Sequence, residues 1–409
     1  MSSHNRKTVL FLTVSEAGQS NSILALALEL LTHPNIDSHI ASFPILQKRV
    51  EQLSSTAKVA DRIDWGVDSP SAIGQKPRTG YEKPHAYASG LEWKSCKNII
   101  NAVDPNIVVV DSFFGAGCEA CWSLSKSAAL HLVLRASGIG SGIPFPIPWS
   151  YVLKNVTILL AFMWRVLTDP DVKELTNYRH EHGLPGRLPL PGDFSIIRSV
   201  HAFCFGLPEL DLPLILPPNF GLYRLVTLNS IQLPRGDELS EWLDRGRTIV
   251  IAFRAGTSPM DQVLWKVRNM VKFQHILDEE LENERVKERF RIVEWINVDP
   301  GEVIRNENVV ACVHHGGASS YFETARAGIP QIILAQWFDL YDMAVRAEYV
   351  GIGIYDMSSE LRSLDYSPSE EAGKFAREAR EIGELCRAAP GKKGVAAKIL
   401  ELAEDENLQ

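Results

Sequence analysis

Between Glu119 and Asp169 the sequence contains no aspartate or glutamate. The gap matters because Phe113-Phe114-Gly115-Ala116-Gly117-Cys118-Glu119-Ala120 follows the apolar run Ile107–Asp111, a G-x-G-x-x-A turn after a strand. A dinucleotide site on such a turn wants an acid about 20 residues further on to bond the ribose. Its absence argues against a nicotinamide site. A basic excess is lacking as well. The net charge is −8 at pH 7, whereas nucleic acid calls for a basic face. The six cysteines, Cys96, Cys118, Cys121, Cys204, Cys312 and Cys386, are too scattered for a disulfide framework. Cys118-x-x-Cys121 has no second pair to complete a zinc site, and it reads as buried free thiols. The one D-x-D, Asp169-Pro170-Asp171, opens a stretch that reads as a polar helix, and neither it nor any histidine cluster offers a metal site. Long hydrophobic runs are missing too. The opening apolar run is too short for a signal-peptide core. Val156–Trp164, flanked by Lys154 and Arg165, falls short of the roughly 20 residues of a membrane span. These absences predict a soluble, cytoplasmic protein that touches a membrane at most peripherally.

What is present is an alternation of short apolar runs and helical stretches over 409 residues, room for two domains. Thr8–Val14 reads as a strand, 15–21 as a turn and Ser22–Leu31 as a helix, a Rossmann-like opening. Ser38–Phe43, Ile107–Asp111, Leu132–Leu134, Val200–Phe205 and Tyr223–Val226 read as further strands. Gly138–Ser150, rich in Pro and Gly, brings Phe145 and Trp149 ahead of an apolar helix at Tyr151–Leu167. Such an insertion suits either an apolar cleft or plain packing on the sheet. Leu228–Glu238 is the linker candidate. Thr248–Phe253 and Gln262–Val267 open a second series of strands. The connection Arg254–Asp261 is shorter than the dozen or so residues of a parallel crossover, which puts a helix of this domain in doubt.

The densest chemistry lies at Asn306–Gly351. Val309–Val313 is a strand-length run, His314-His315-Gly316-Gly317 a tight loop, and Ser319 or Ser320 an N-cap candidate with Glu323 following. Gly328 and Pro330 stop the helix, and Gln331–Ala335 is another strand. Free N–H groups at such a helix start suit a phosphate or diphosphate. A plain capped strand-to-helix turn is the other reading. His314, on the strand side of the loop, reads as structural.

His315-Gly-Gly-Ala-Ser-Ser-Tyr-Phe-Glu323, then Ala-Gly-Ile-Pro330, then Phe338-Asp339, resembles the donor signature of family 1 UDP-glycosyltransferases, with Trp295 matching the tryptophan that opens it. The resemblance implies a GT-B fold, α/β with two Rossmann-like domains facing a central cleft. It divides the chain into 1–227 for the acceptor, a linker at 228–238, 239–370 for the nucleotide sugar, and closing helices at 371–409, the last packing back on the first domain. It implies donor contacts from Gly256, Thr257, Trp295, Ile296, His315, Gly317, Ala318, Ser319, Ser320, Glu323, Asp339 and Leu340. Trp295 would stack the base, Glu323 hold the ribose and Asp339 bond the sugar. Acceptor contacts fall to Phe114, Phe145 and Trp149. No cofactor or metal is implied, the UDP-sugar being a co-substrate and a lipophilic small molecule the acceptor. Leu340 stands where plant members usually have Gln, and Trp295-Ile-Asn-Val298 where theirs run Trp-x-Pro-Gln. These departures leave the sugar open.

The family's base is a histidine in the first loop, oriented by an aspartate. Asp111 matches the aspartate, but Gln19 fills the histidine position, and glutamine cannot take a proton. Three readings stand: Asp111 or Glu16 takes the proton directly, Gln19 positions the acceptor for another base, or the chain binds without turnover. Ser-Glu-x-Gly-Gln-x-Asn in this loop resembles fungal members.

Overall fold

The computed structural model describes residues 6–14, 17–43, 46, 49–51, 63–65, 86–112, 114–124, 128–131, 140–184, 200–213, 216, 218–228, 233–234, 236–251, 262–266, 288–294, 296, 298–336, 338–355, 370–388 and 391–405. Two wholly parallel sheets organise these residues. The first contains β1 (Lys7–Leu12), β2 (Ile36–Ala41), β3 (Ile63–Trp65), β4 (Ile107–Asp111), β5 (Ala128–His131), β6 (His201–Phe205) and β7 (Phe220–Tyr223), in the order β3-β2-β1-β4-β5-β6-β7. The second contains β8 (Thr248–Ile251), β9 (Gln262–Lys266), β10 (Phe290–Val293), β11 (Val309–His314), β12 (Gln331–Ile333) and β13 (Gly353–Tyr355), in the order β10-β9-β8-β11-β12-β13.

Both sheets are covered on both faces, which is why their strands read as near-continuous apolar runs. Val9, Phe11 and Val109 enter one core, while Leu10, Leu12, Val108 and Val110 enter the other. Val250, Leu264 and Cys312 likewise face away from Ile249, Ile251 and Val313. All six cysteines are buried free thiols, with burial pushing Cys121, Cys204 and Cys312 up to about 12.

Helices connect the strands: α1 (Ala17–Leu30), α2 (Ala86–Val103), α3 (Gly115–Ser123), α4 (Val152–Thr168), α5 (Pro170–Glu181), α6 (Glu238–Leu243), α7 (Pro300–Ile304), α8 (Ala318–Ala327), α9 (Phe338–Val350), α10 (Glu370–Arg387) and α11 (Gly391–Glu404). Strand order reverses between β1 and β4, and again between β8 and β11. Ligands of open α/β sheets bind in the crevice at such a switch point. α1 leaves one and α8 the other.

Several expectations shift. Helix α1 starts at Ala17, so Gln19 lies in its first turn rather than in a loop. Strand β5 precedes the expected Leu132–Leu134, which lies outside the described residues. Strand β9 pairs in parallel with β8, Thr248 opposite Gln262 and Ile251 opposite Trp265, despite the short connection. Residues 252–261 between them lie outside the described residues. Helix α8 is capped by Gly317 with no side-chain bond, so the expected cap at Ser319 or Ser320 does not form. Its other end closes on Gly328 at φ 80°, the left-handed conformation glycine adopts freely.

The apolar insertion also departs from expectation. Trp149–Thr168 forms a 20-residue helical stretch long and apolar enough, by length and composition, to cross a membrane. None of it is buried, so packing on the sheet is excluded. It contacts α5, which is fixed in turn by the Arg179–Glu119 ion pair to α3.

The two halves are tied together. Val395, Ala396, Ile399 and Ala403 of α11 sit in the same core as Val9 and Ile23, and Lys392 meets Glu29 at 3.4 Å. Leu207, Leu210 and Leu225 of the first half share a core with Tyr321, Ile333 and Ala344 of the second. The buried Tyr321 hydroxyl donates to the Leu210 carbonyl at 2.9 Å, and Arg346 Nε to Asp211 Oδ1 at 2.6 Å. Removing only the hydroxyl strands a buried carbonyl, so Tyr321→Phe is expected to lower unfolding free energy by about 1–3 kcal/mol in urea titrations. Unchanged stability would show that this tie contributes nothing.

Candidate active site

Between the halves lies a cavity of about 380 Å³. Gly18, Gln19, Asn21, Ser22 and Asp111 line it from the first half, and His315, Gly317, Ala318, Ser319, Glu323, Asp339 and Leu340 from the second. First-turn residues of both α1 and α8 are among them. Two helix starts therefore bring unpaired N–H groups and positive dipole ends to one space. Phe205, Leu225, Val226, Leu228, Phe322 and Met343 supply apolar wall.

The His315 loop is held from beneath. Gly316 adopts φ 90°, and a Cβ there would lie 2.8 Å from Ile333 Cγ2 and 2.9 Å from the Leu340 carbonyl oxygen. Its N–H donates to His314 Nδ1 at 3.0 Å, which leaves the His314 proton on Nε2 to donate to Gln331 Oε1 at 2.8 Å. Burial lowers the His314 pKa to about 4, so the ring is neutral. His314 is thus the structural histidine the sequence indicated. Over the loop, a Cβ on Gly317 would fall 2.7 Å from His315 Nε2, so the imidazole rests where any side chain would displace it. Burial lowers the His315 pKa and nearby Asp339 opposes that. His315 lies at the cavity wall.

Glu323 lies one turn into α8. Burial, then the Asp299 charge, pushes its carboxyl up to about 7. Asp299 caps α7 by accepting from the Gly301 N–H at 3.1 Å. Across the cavity Asp111 ends β4, 1% exposed, and Thr13 Oγ1 donates to its Oδ2 at 3.4 Å. Ser319 Oγ donates to the Gly18 carbonyl at 3.2 Å, bridging the two helix starts directly.

Other residues expected at the site lie elsewhere. Ile296 is 8% exposed in the core with Trp242 and Val303, so its side chain does not face the donor space. Phe114 is likewise a core residue, edge-on to Phe43 at 5.9 Å, and is no part of an acceptor wall. Phe145 packs on Tyr349 of α9 at 5.3 Å, and Trp149 is 92% exposed, so neither lines the cavity. Ser320, in the first turn of α8, is not among the lining residues either. Glu16, Gly256, Thr257 and Trp295 lie outside the described residues. The sequence reading missed Asn21, Phe205, Leu225–Leu228, Phe322 and Met343. Asn21 and Phe322 adjoin motifs already singled out. The stretch 225–228 carries only the signal of its place between two α/β series.

The comparisons agree with this geometry. Residues 273–402 match the family model described as Erythromycin biosynthesis protein CIII-like, C-terminal domain. Glycosyltransferase sdnJ of Sordaria araneosa is 28% identical, covering 88% of this chain and 85% of its own. Erythritol-mannosyl-transferase 1 of Pseudozyma antarctica is 32% identical over 28% of this chain and 19% of its own. Among solved structures, a UDP-glucosyltransferase from Polygonum tinctorium capable of glucosylating indoxyl superposes with a TM-score of 0.68 at 15% identity, covering 99% of this chain and all of that one. Glycosyltransferase VinC in complex with DTDP superposes at 0.59 and 16% identity, covering 97% and 99%. Fold, cavity and relatives together define a glycosyltransferase of the GT-B fold. More narrowly, the chain carries an EryCIII-like C-terminal glycosyltransferase domain at 273–402, is similar to a fungal glycosyltransferase, and resembles the family 1 glycosyltransferases.

The raised Glu323 pKa has a thermodynamic consequence. A carboxyl whose folded pKa of about 7 exceeds its ordinary 4.5 stabilises the fold below 4.5, and that contribution is lost as pH rises through 7. From pH 5.5 to 8 the ligand-free protein is expected to lose about 2 kcal/mol from this group. Urea unfolding at the two values measures it. The Glu323→Gln variant is expected to lose that part of the pH dependence, and an unchanged profile would show Glu323 is not so perturbed.

Proposed function

We propose that the cavity moves a hexose from a UDP-sugar to a hydroxyl of a lipophilic acceptor with inversion, in the cytoplasm. The observation that carries this reading is the convergence of two helix starts and the His315 loop opposite a buried carboxylate, Asp111. The diphosphate is held at the start of α8 by the N–H groups of that turn, His315 and the hydroxyl of Ser319. Ser319 exchanges its bond to Gly18 for a phosphate oxygen. Trp295 stacks the base, with Gly256 and Thr257 on the same side. Glu323 holds the ribose, and Asp339 beside Leu340 meets the sugar. These fixed donors stabilise the departing diphosphate without a metal or other cofactor.

The acceptor oxygen attacks the anomeric carbon as the bond to the diphosphate oxygen breaks, and UDP leaves with the electron pair. The acceptor proton passes to the Asp111 carboxylate, or to Glu16, while Gln19 orients the hydroxyl. The apolar wall formed by Phe205, Leu225, Phe322 and Met343 supports a lipophilic acceptor of the terpenoid, polyketide or sterol-like kind. A UDP donor is supported by the likeness to the indoxyl-glucosylating UDP-glucosyltransferase and by the signature residues. No nucleic acid takes part, and membrane contact is peripheral.

Gln19 on the cavity wall favours a second reading, a UDP-sugar-binding protein impaired in turnover. UDP release separates the two. With UDP-glucose and a panel of phenols, terpenoid alcohols and sterols, the first reading predicts acceptor-dependent UDP release, and binding of UDP without release supports the second. Asp111→Asn is expected to abolish transfer while keeping UDP affinity, and surviving transfer would remove Asp111 as base. His315→Ala is expected to weaken UDP binding about 10- to 100-fold by calorimetry, the worth of a hydrogen bond to a charged group. Unchanged affinity would overturn the donor site.

A further inference from the structure

The helix α4 has three distinct sides. Asn155, Ile158, Phe162 and Val166, spaced at i+3 and i+4, form the partly covered side. Lys154, Thr157, Arg165 and Thr168 recur at similar spacing on a polar side, where Thr157 and Thr168 donate back to the carbonyls of Leu153 and Trp164 at 2.8 Å. Leu153, Val156, Leu160, Trp164 and Leu167 form the third side, continued by Trp149 in the preceding turn. Their exposure runs from 47% at Val156 to 92% at Trp149. A contiguous apolar stripe open to water marks an interaction surface.

We propose that α4 is an interfacial anchor that lies in the plane of an anionic bilayer, its apolar stripe sunk at the headgroup boundary. Three observations favour lipid. The first is charge. In a chain of net charge −8, which an anionic surface repels on average, the stretch between Glu119 and Asp169 has no acid and carries Lys126, Arg135, Lys154 and Arg165. Lys154 and Arg165 lie on the polar side of α4, the arrangement of a helix resting in the interface. The second is composition: Trp149, Tyr151 and Trp164 near the helix ends are side chains that settle at headgroup level.

The third is tethering at both ends. Before α4, a strap returns to the second half, with Phe145 on Tyr349 and Gly142 close to Tyr341 and Tyr355. After it, α5 is fixed by Arg179 and Glu119. With both ends held to one body, the helix lies on the bilayer rather than crossing it. The patch continues through Ile147, 43% exposed, to Tyr349, 44% exposed, on α9, whose Leu340 and Met343 line the cavity. The anchor deepens the proposed function, since a lipophilic acceptor partitions into the surface on which the protein rests.

Vesicle co-sedimentation of the full chain tests this. Phosphatidylcholine vesicles containing phosphatidylserine are expected to carry the protein down, plain phosphatidylcholine less so, and added salt is expected to weaken the binding. The double change Leu160→Glu with Trp164→Glu is expected to lower partition by about tenfold or more. Far-UV circular dichroism and UDP affinity should stay unchanged, because both side chains are exposed and outside the cavity. Lys154→Glu with Arg165→Glu is expected to erase the preference for phosphatidylserine. Wild-type protein that stays in the supernatant with both vesicles overturns the anchor, as does equal binding by the Leu160 and Trp164 variant. A vesicle-indifferent dimer that the same variant turns monomeric in light scattering also overturns it, and assigns the face to a second copy. UDP affinity, measured on the same samples, reports on the donor site separately.

Discussion

Everything at the cleft hangs on the backbone at Gly316. Its N–H is held by a neutral, buried His314, whose other nitrogen is fixed to Gln331 on the neighbouring strand. A β-carbon there would collide with Ile333 and the Leu340 carbonyl, so no larger residue fits. That pinch ends β11, turns the chain and aims the start of α8 into the space between the halves. His315, the α8 N–H groups and Ser319 inherit their positions from it. The polar ring that holds the loop is itself sealed from water, where a satisfied network is rigid.

The same logic is repeated across the cleft with different parts. Strand β4 is buried along its whole length and ends in Asp111, and α1 begins beside it. Each sheet presents its switch point, and the ties through Tyr321, Arg346 and α11 set the two opposite one another. The result is a cavity with positive helix ends on two sides, a carboxylate on one wall and apolar side chains on another. A nucleoside diphosphate leaving group and an apolar acceptor need that combination. The Ser319–Gly18 bond joins the two helix starts across the cavity, and the proposed diphosphate binding would break it.

Much of this was legible in the chain. Ile107–Asp111 and Val309–Val313 follow from apolar runs bounded by turn residues, and Gly328 as a helix stop follows from its place before Pro330. His314 and His315 were separable by their positions relative to the strand. What was not legible depends on contacts distant in sequence. The start of α1 lies against the second half, where Ser319 Oγ donates to the Gly18 carbonyl, a contact 301 residues away in sequence. Ile296 and Phe114 look the same in sequence whether they face a ligand or a core, and only the packing around Trp242 or Phe43 decides. The apolar run before Asp169 reads as too short for a membrane span and as either a cleft wall or packing on the sheet, because an apolar helix with no buried residue is not what periodicity predicts.

The most direct test of the account is a crystal structure with UDP bound. It predicts diphosphate oxygens within hydrogen-bonding distance of His315 and the first N–H groups of α8, with Ser319 released from the Gly18 carbonyl. UDP bound away from the His315 loop, or a diphosphate that leaves Ser319 on Gly18 and touches no N–H of α8, would contradict it.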